Sequence, residues 1–137
     1  MILTKNFKLE EFERSFIAER FGILNKVPDF NTLSNIHLLC VKLLQPLRNK
    51  YGKCLITSGY RCVELNQKIM GAPSSSHSYG FAADVYFVDA DMIKVFSYII
   101  EKMIFDECLL FKVGGKVSYM HLSFNPRLRL IHRVVEK

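Results

Sequence analysis

Lys53-Cys54-Leu55-Ile56-Thr57-Ser58-Gly59-Tyr60-Arg61 is the stretch at which the chain changes rhythm. Cys54 to Thr57 reads as a short buried strand that runs into a Ser-Gly-Tyr-Arg turn. Upstream the apolar residues recur every three or four positions. Leu9, Phe12 and Phe16 predict an amphipathic helix from Phe7 to about Arg20, ended by Gly22. After Pro28, the cap-type residues of Asp29-Phe30-Asn31-Thr32 open a second, longer helix. It runs on Leu33, Ile36, Cys40, Leu43, Leu44 and Leu47 and is interrupted or finished near Pro46.

Downstream the runs are shorter. Val63 to Met70 predicts a short helix, Gly71 to Ser78 a loop, and Ala82 to Phe87 a strand. Asp91 to Met103 is helical on Ile93, Phe96, Ile99 and Ile100, and Cys108 to Phe111 is a strand. A turn at Gly114-Gly115 leads into Val117 to Phe124 as a hairpin. Arg127 to Lys137 is an edge strand or a tail. Helices first and strands afterwards give an α+β class: N-terminal helices packed on a small, mainly antiparallel sheet.

Length and composition set the frame for function. At 137 residues the chain is one domain, residues 1–137. Half its residues are hydrophobic, with 11 Phe and 6 Tyr, enough to bury a core without a partner, so a monomer is expected. No apolar run reaches the roughly 18 residues of a membrane span, and acidic residues interrupt the N-terminus before a signal peptide could form. The net charge of +6 favours an anionic partner. Nucleic acid is the poorer choice, since the basic tail Arg127, Arg129, Arg133 and Lys137 comes with no recognised binding motif. Cys40, Cys54, Cys62 and Cys108 form no CxxC pair and read as reduced, mostly buried thiols.

The chemistry-bearing residues lie where strands meet loops. His77 and Asp84 fall in Ser75-Ser76-His77-Ser78-Tyr79-Gly80-Phe81-Ala82-Ala83-Asp84, and His121 in Tyr119-Met120-His121-Leu122-Ser123. Two imidazoles and one carboxylate form a common catalytic zinc set that leaves a fourth position for water. Zinc lowers the pKa of such water towards about 7 and polarises a carbonyl, as amide hydrolysis at neutral pH requires. Asp84 lies in an apolar strand, where an unpaired carboxylate is expensive and a metal ion is a natural partner. His37, in the second helix, reads as structural or solvent-facing, and His132 reaches the site only if the tail folds back.

The pattern Ser75-x-His77-x-x-Gly80-x-Ala82-x-Asp84 resembles the zinc D-Ala-D-Ala carboxypeptidases and L-alanyl-D-glutamate endopeptidases that cut peptidoglycan stem peptides. The resemblance extends over nearly the whole chain. It takes in Leu3 to Phe12, Leu44-Gln45-Pro46-Leu47-Arg48, Ser58-Gly59-Tyr60-Arg61, Leu65-Asn66 and Tyr119 to Ser123, in the manner of the compact, phage-associated branch. It implies a hedgehog-like zinc peptidase fold with His77, Asp84 and His121 as zinc ligands. Arg61 and Ser75 would face the stem peptide. A guanidinium that forks onto a carboxylate or carbonyl at any working pH suits that task. With no export signal in view, the resemblance implies a product made in the cytoplasm that reaches the wall after release or within a virion.

The chain departs from the family at the general base. The resemblance implies a carboxylate three residues before the last histidine, where this chain has Ser118, or, as in some compact relatives, a glutamate on the neighbouring strand, where it has Phe111. Asp106 and Glu107 are the nearest acids in sequence. The departure leaves the base unassigned. It also opens a second reading, a catalytically inactive, zinc-containing module of the same fold that binds cell wall or protein.

Overall fold

The computed structural model describes residues 1–137. A hairpin of β1 (Ile2–Thr4) and β2 (Phe7–Lys8) leads into two short helices, α1 (Leu9–Glu13) and α2 (Phe16–Arg20). The single helix expected from Phe7 to Arg20 is therefore broken at Arg14-Ser15. Two carbonyls that a continuous helix would use internally are taken by tertiary partners. Phe12 O accepts from the Tyr60 N–H at 2.7 Å and Glu13 O from the Asn25 side chain at 2.9 Å. Ser15 then caps α2 by accepting from the Ala18 N–H, and Phe16 is left 89% exposed, off the core.

Asp29 caps α3 (Phe30–Leu39), accepting from the Thr32 N–H at 2.8 Å. The interruption expected near Pro46 is a π turn, Cys40–Leu44, after which the helix continues as α4 (Gln45–Tyr51). Proline has no N–H to give and its ring crowds the carbonyl four residues back, so a wider turn before it relieves both problems. Gly52, at φ +86°, closes α4.

The main sheet has the order β3-β4-β6-β5-β7, formed by β3 (Cys54–Ser58), β4 (Ala82–Phe87), β5 (Glu107–Val113), β6 (Lys116–Ser123) and β7 (Ile131–Glu136). All pairings are antiparallel except β5 with β7, so the chain's last stretch is an edge strand. α5 (Val63–Lys68) and a 3-10 turn (Ser76–Tyr79) join β3 to β4, and α6 (Met92–Lys102) joins β4 to β5. No helix is long and apolar enough to cross a membrane.

Strand alternation sorts the sheet into two faces. Ala83, Val85, Phe87, Cys108, Leu110, Met120 and Leu122 join the buried cluster with Ile36, Leu39, Leu43 and Leu47 of the α3–α4 rod and Val95 and Ile99 of α6. The residues between them, Asp84, Glu107, Leu109, Phe111, Tyr119 and His121, belong to the opposite face. Burial pushes the thiols of Cys54 and Cys108 up to about 12 and that of Cys40 higher still, whereas Cys62 is only half-buried. A thiol-reactive dye is expected to label one cysteine, Cys62, in the folded chain and all four after denaturation. Rapid labelling of two or more native thiols would contradict this core.

Asp106 anchors the tail. Although fully buried, its carboxylate accepts from the Arg129 Nε at 3.0 Å, Nη2 at 2.9 Å and backbone N–H at 3.0 Å, and Arg127 Nη2 lies 3.6 Å away. Burial works against its charge, and Arg129 more than compensates, holding the pKa below the ordinary carboxylate value. Two basic residues of the tail are thus committed to an internal partner. Asp106→Ala is expected to cost about 2–3 kcal/mol in urea denaturation, because charged hydrogen bonds are lost and Arg129 is left without its partner. A cost below about 0.5 kcal/mol would show that the pair does not hold β7.

Candidate metal centre

Asp84 sits mid-strand in β4, opposite His121 of β6 on one side and Ser58 of β3 on the other. That register brings His121 Nδ1 to 3.0 Å from Asp84 Oδ1. His77 arrives from the 3-10 turn, which Ser75 caps by accepting the His77 N–H at 3.3 Å. Gly80 ends the turn at φ +78°, and a side chain there would meet the Thr32 carbonyl at 2.6 Å, so the return into β4 requires glycine. The buried His77 ring then places Nε2 3.3 Å from Asp84 Oδ1, while its Nδ1 donates to the Gly59 carbonyl at 2.8 Å. That bond fixes the ring with Nε2 turned towards the carboxylate.

One ligand-type atom from each of His77, Asp84 and His121 lies within 4.8 Å of the others. Tetrahedral zinc with bonds near 2.0–2.1 Å separates its donors by about 3.3 Å, close to the two spacings measured from Asp84 Oδ1. The residues fit the ion. Burial disfavours the charge of Asp84, but both imidazoles outweigh it and hold the carboxyl well below its usual range. Burial also depresses the His121 pKa, yet the carboxylates of Asp84 and Glu107 raise it to about 9.

The cluster floors an open pocket of about 230 Å³ walled by Arg61, Leu109, Phe111 and Tyr119. Phe111 and Tyr119 are cross-strand partners whose rings stack at 4.6 Å. Arg61 has Nη2 3.9 Å from Asp84 Oδ2, with Nε donating to Ser58 and Nη1 to Asn66. Ser75 does not line the pocket, and its hydroxyl is spent on the turn that carries His77. Ser118 is exposed and is the extra residue of a bulge, skipped between the pairs Phe111–Tyr119 and Lys112–Val117. His37 is exposed on α3, and His132 is exposed on β7 beside Cys108.

Two features escaped the sequence. Glu107 Oε1 lies 3.7 Å from His121 Nε2, and the apolar wall of Leu109, Phe111 and Tyr119 borders the cluster. The signal for both was the alternation of β5, which puts residues 107, 109 and 111 on the face of His121 once the register is known. A larger cleft of about 550 Å³ near α1 and α2 is lined by Glu10, Glu11, Glu13 and Glu19, and the carboxylates of the first three accept from the N–H groups of Met1, Lys8 and Val27 in turn.

This fold and donor set define a protein able to hold one divalent cation on three side chains with a further position open to a pocket. The family model described as Peptidase M15 matches residues 5–123, and the chain belongs to that family, the zinc D-Ala-D-Ala carboxypeptidases. It is accordingly a metallopeptidase of a zinc-dependent family. A search of curated proteins finds no match.

Proposed function

We propose that the chain hydrolyses an amide bond in the stem peptide of peptidoglycan, as a carboxypeptidase or endopeptidase of the endolysin type. The observation that carries this reading is the convergence of buried His77 and Asp84 with half-buried His121 at the floor of an open pocket. Zinc would be held through His77 Nε2, Asp84 Oδ1 and His121 Nδ1. There it would supply Lewis acidity, polarising the scissile carbonyl and making water a nucleophile near neutral pH.

The chain's own groups bind and orient the peptide. Arg61 is held rigidly by Ser58 and Asn66 and turns one nitrogen towards the cluster, where it grips a peptide carboxylate or carbonyl. The Phe111–Tyr119 stack gives the pocket a dry wall against which the peptide packs. The charge of +6 draws the protein to anionic wall polymers by a salt-sensitive term. The wall would be reached after release from the producing cell or from within a virion.

Mass spectrometry of defined muropeptides, incubated with the zinc-loaded protein and with a chelated sample, tests the reading. Chelator-sensitive loss of a terminal D-alanine, or a new amino terminus inside the stem, supports it and names the bond. If crosslinked and uncrosslinked stems of several wall types all stay intact with stoichiometric zinc present, turnover is refuted and a zinc-containing binding module takes its place.

A further inference from the structure

The two histidines of the cluster turn opposite ring nitrogens inwards. His77 offers Nε2, and its Nδ1 is fixed by the Gly59 carbonyl at 2.8 Å. His121 offers Nδ1, and the group on its far side is Glu107, with Oε1 3.7 Å from Nε2. A ring that binds a metal through one nitrogen carries its proton on the other, and an acceptor there fixes both tautomer and orientation. We propose that Glu107 is the positioning residue for His121, accepting the Nε2 proton so that Nδ1 is presented to the metal.

This rests on the reading of the cluster as a zinc site and adds a residue to it. Three observations place Glu107 for the role. β5 alternation puts it on the face of Leu109 and Phe111, and Leu109 is the cross-strand partner of His121. Its backbone is pinned where its N–H donates to Ser123 Oγ at 3.0 Å. Its carboxylate is steadied from behind, since Arg129 Nη2 lies 3.6 Å from the same Oε1 and is itself locked onto buried Asp106. Glu107 does not line the pocket, so it acts through His121 and not on substrate. A movement of under about 1 Å brings 3.7 Å within hydrogen-bond range.

The test is zinc affinity of the full chain, by competition with a chromogenic chelator, for wild type, Glu107→Gln and Glu107→Ala. Loss of an orienting partner typically weakens metal binding about 10–100-fold, and that is the expected result for Glu107→Ala. Glu107→Gln keeps an acceptor oxygen while losing the charge that faces Arg129, and is expected to stay within about threefold of wild type. Long-range ¹H–¹⁵N spectra of the zinc-loaded wild type should show His121 protonated on Nε2.

Unchanged affinity in Glu107→Ala, beside tight binding by the wild type, overturns the proposal and leaves the zinc site standing. A Gln variant as weak as the Ala variant assigns Glu107 to its pairing with Arg129 and overturns it too. Should Glu107→Ala fail to fold, Glu107→Leu, which fills similar space without an acceptor, takes its place with the same expected loss and the same overturning result. A wild-type chain that takes up no zinc removes the site and this role together.

Discussion

An Asp84→Ala variant is expected to bind zinc at least about 100-fold more weakly than the wild-type chain and to lose hydrolysis with it. Asp84 Oδ1 is the hub of the cluster, 3.0 Å from His121 Nδ1 and 3.3 Å from His77 Nε2, and no other carboxylate lines the pocket. The metal-free protein gives a second readout. His121, raised from 6.5 to about 9, contributes stability that is fully present below pH 6.5 and is lost as pH rises through 9. Removing Asp84 removes one of the two carboxylates that raise it, so the decline of stability between about pH 7 and 9 should shrink in the variant. Isothermal zinc titration and pH-dependent denaturation check the two parts. Stoichiometric, tight zinc in Asp84→Ala would show that the cluster is not the metal site.

Phe111→Glu is expected to raise kcat by about 100-fold, the low end of what a positioned general base contributes. Phe111 lines the pocket on the strand beside His121, where compact relatives in the sequence resemblance carry a glutamate. Besides Asp84, which is committed to the cluster, the pocket has no carboxylate. The substitution gives up the stack on Tyr119, worth about 1 kcal/mol, and sets a carboxylate near Lys137, whose ammonium lies 4.7 Å from the Phe111 ring centre. Stability should therefore change little while the rate rises. Phe111→Gln, similar in shape but unable to take a proton, should give no gain. Equal rates for the Glu and Gln variants would mean that this position supplies no base.

Most of the architecture was legible because the elements obey local rules. Asp29 caps α3, Gly22 follows α2 at positive φ, and β4 runs from Ala82 to Phe87 as its apolar run predicts. What failed depended on distant partners. The break at Arg14-Ser15 follows from Tyr60 and Asn25 claiming the carbonyls of Phe12 and Glu13, which no local pattern announces. Of the two outcomes read at Pro46, interruption or end, the structure has the first, a π turn that keeps the rod in one piece. The cluster residues were legible as ligand types at a family spacing. Their convergence depends on the register that pairs Asp84 with His121, and Glu107 becomes visible only when β5 is laid beside β6. Ser75 was read as facing substrate, but its hydroxyl caps the turn that holds His77.

Anomalous diffraction at the zinc edge, from crystals of the zinc-loaded protein, tests the central claim most directly. The account predicts a single strong peak bonded to His77 Nε2, Asp84 Oδ1 and His121 Nδ1, open towards Arg61, Phe111 and Tyr119. A zinc peak elsewhere on the chain, or none at this cluster from crystals grown with stoichiometric zinc, would contradict it.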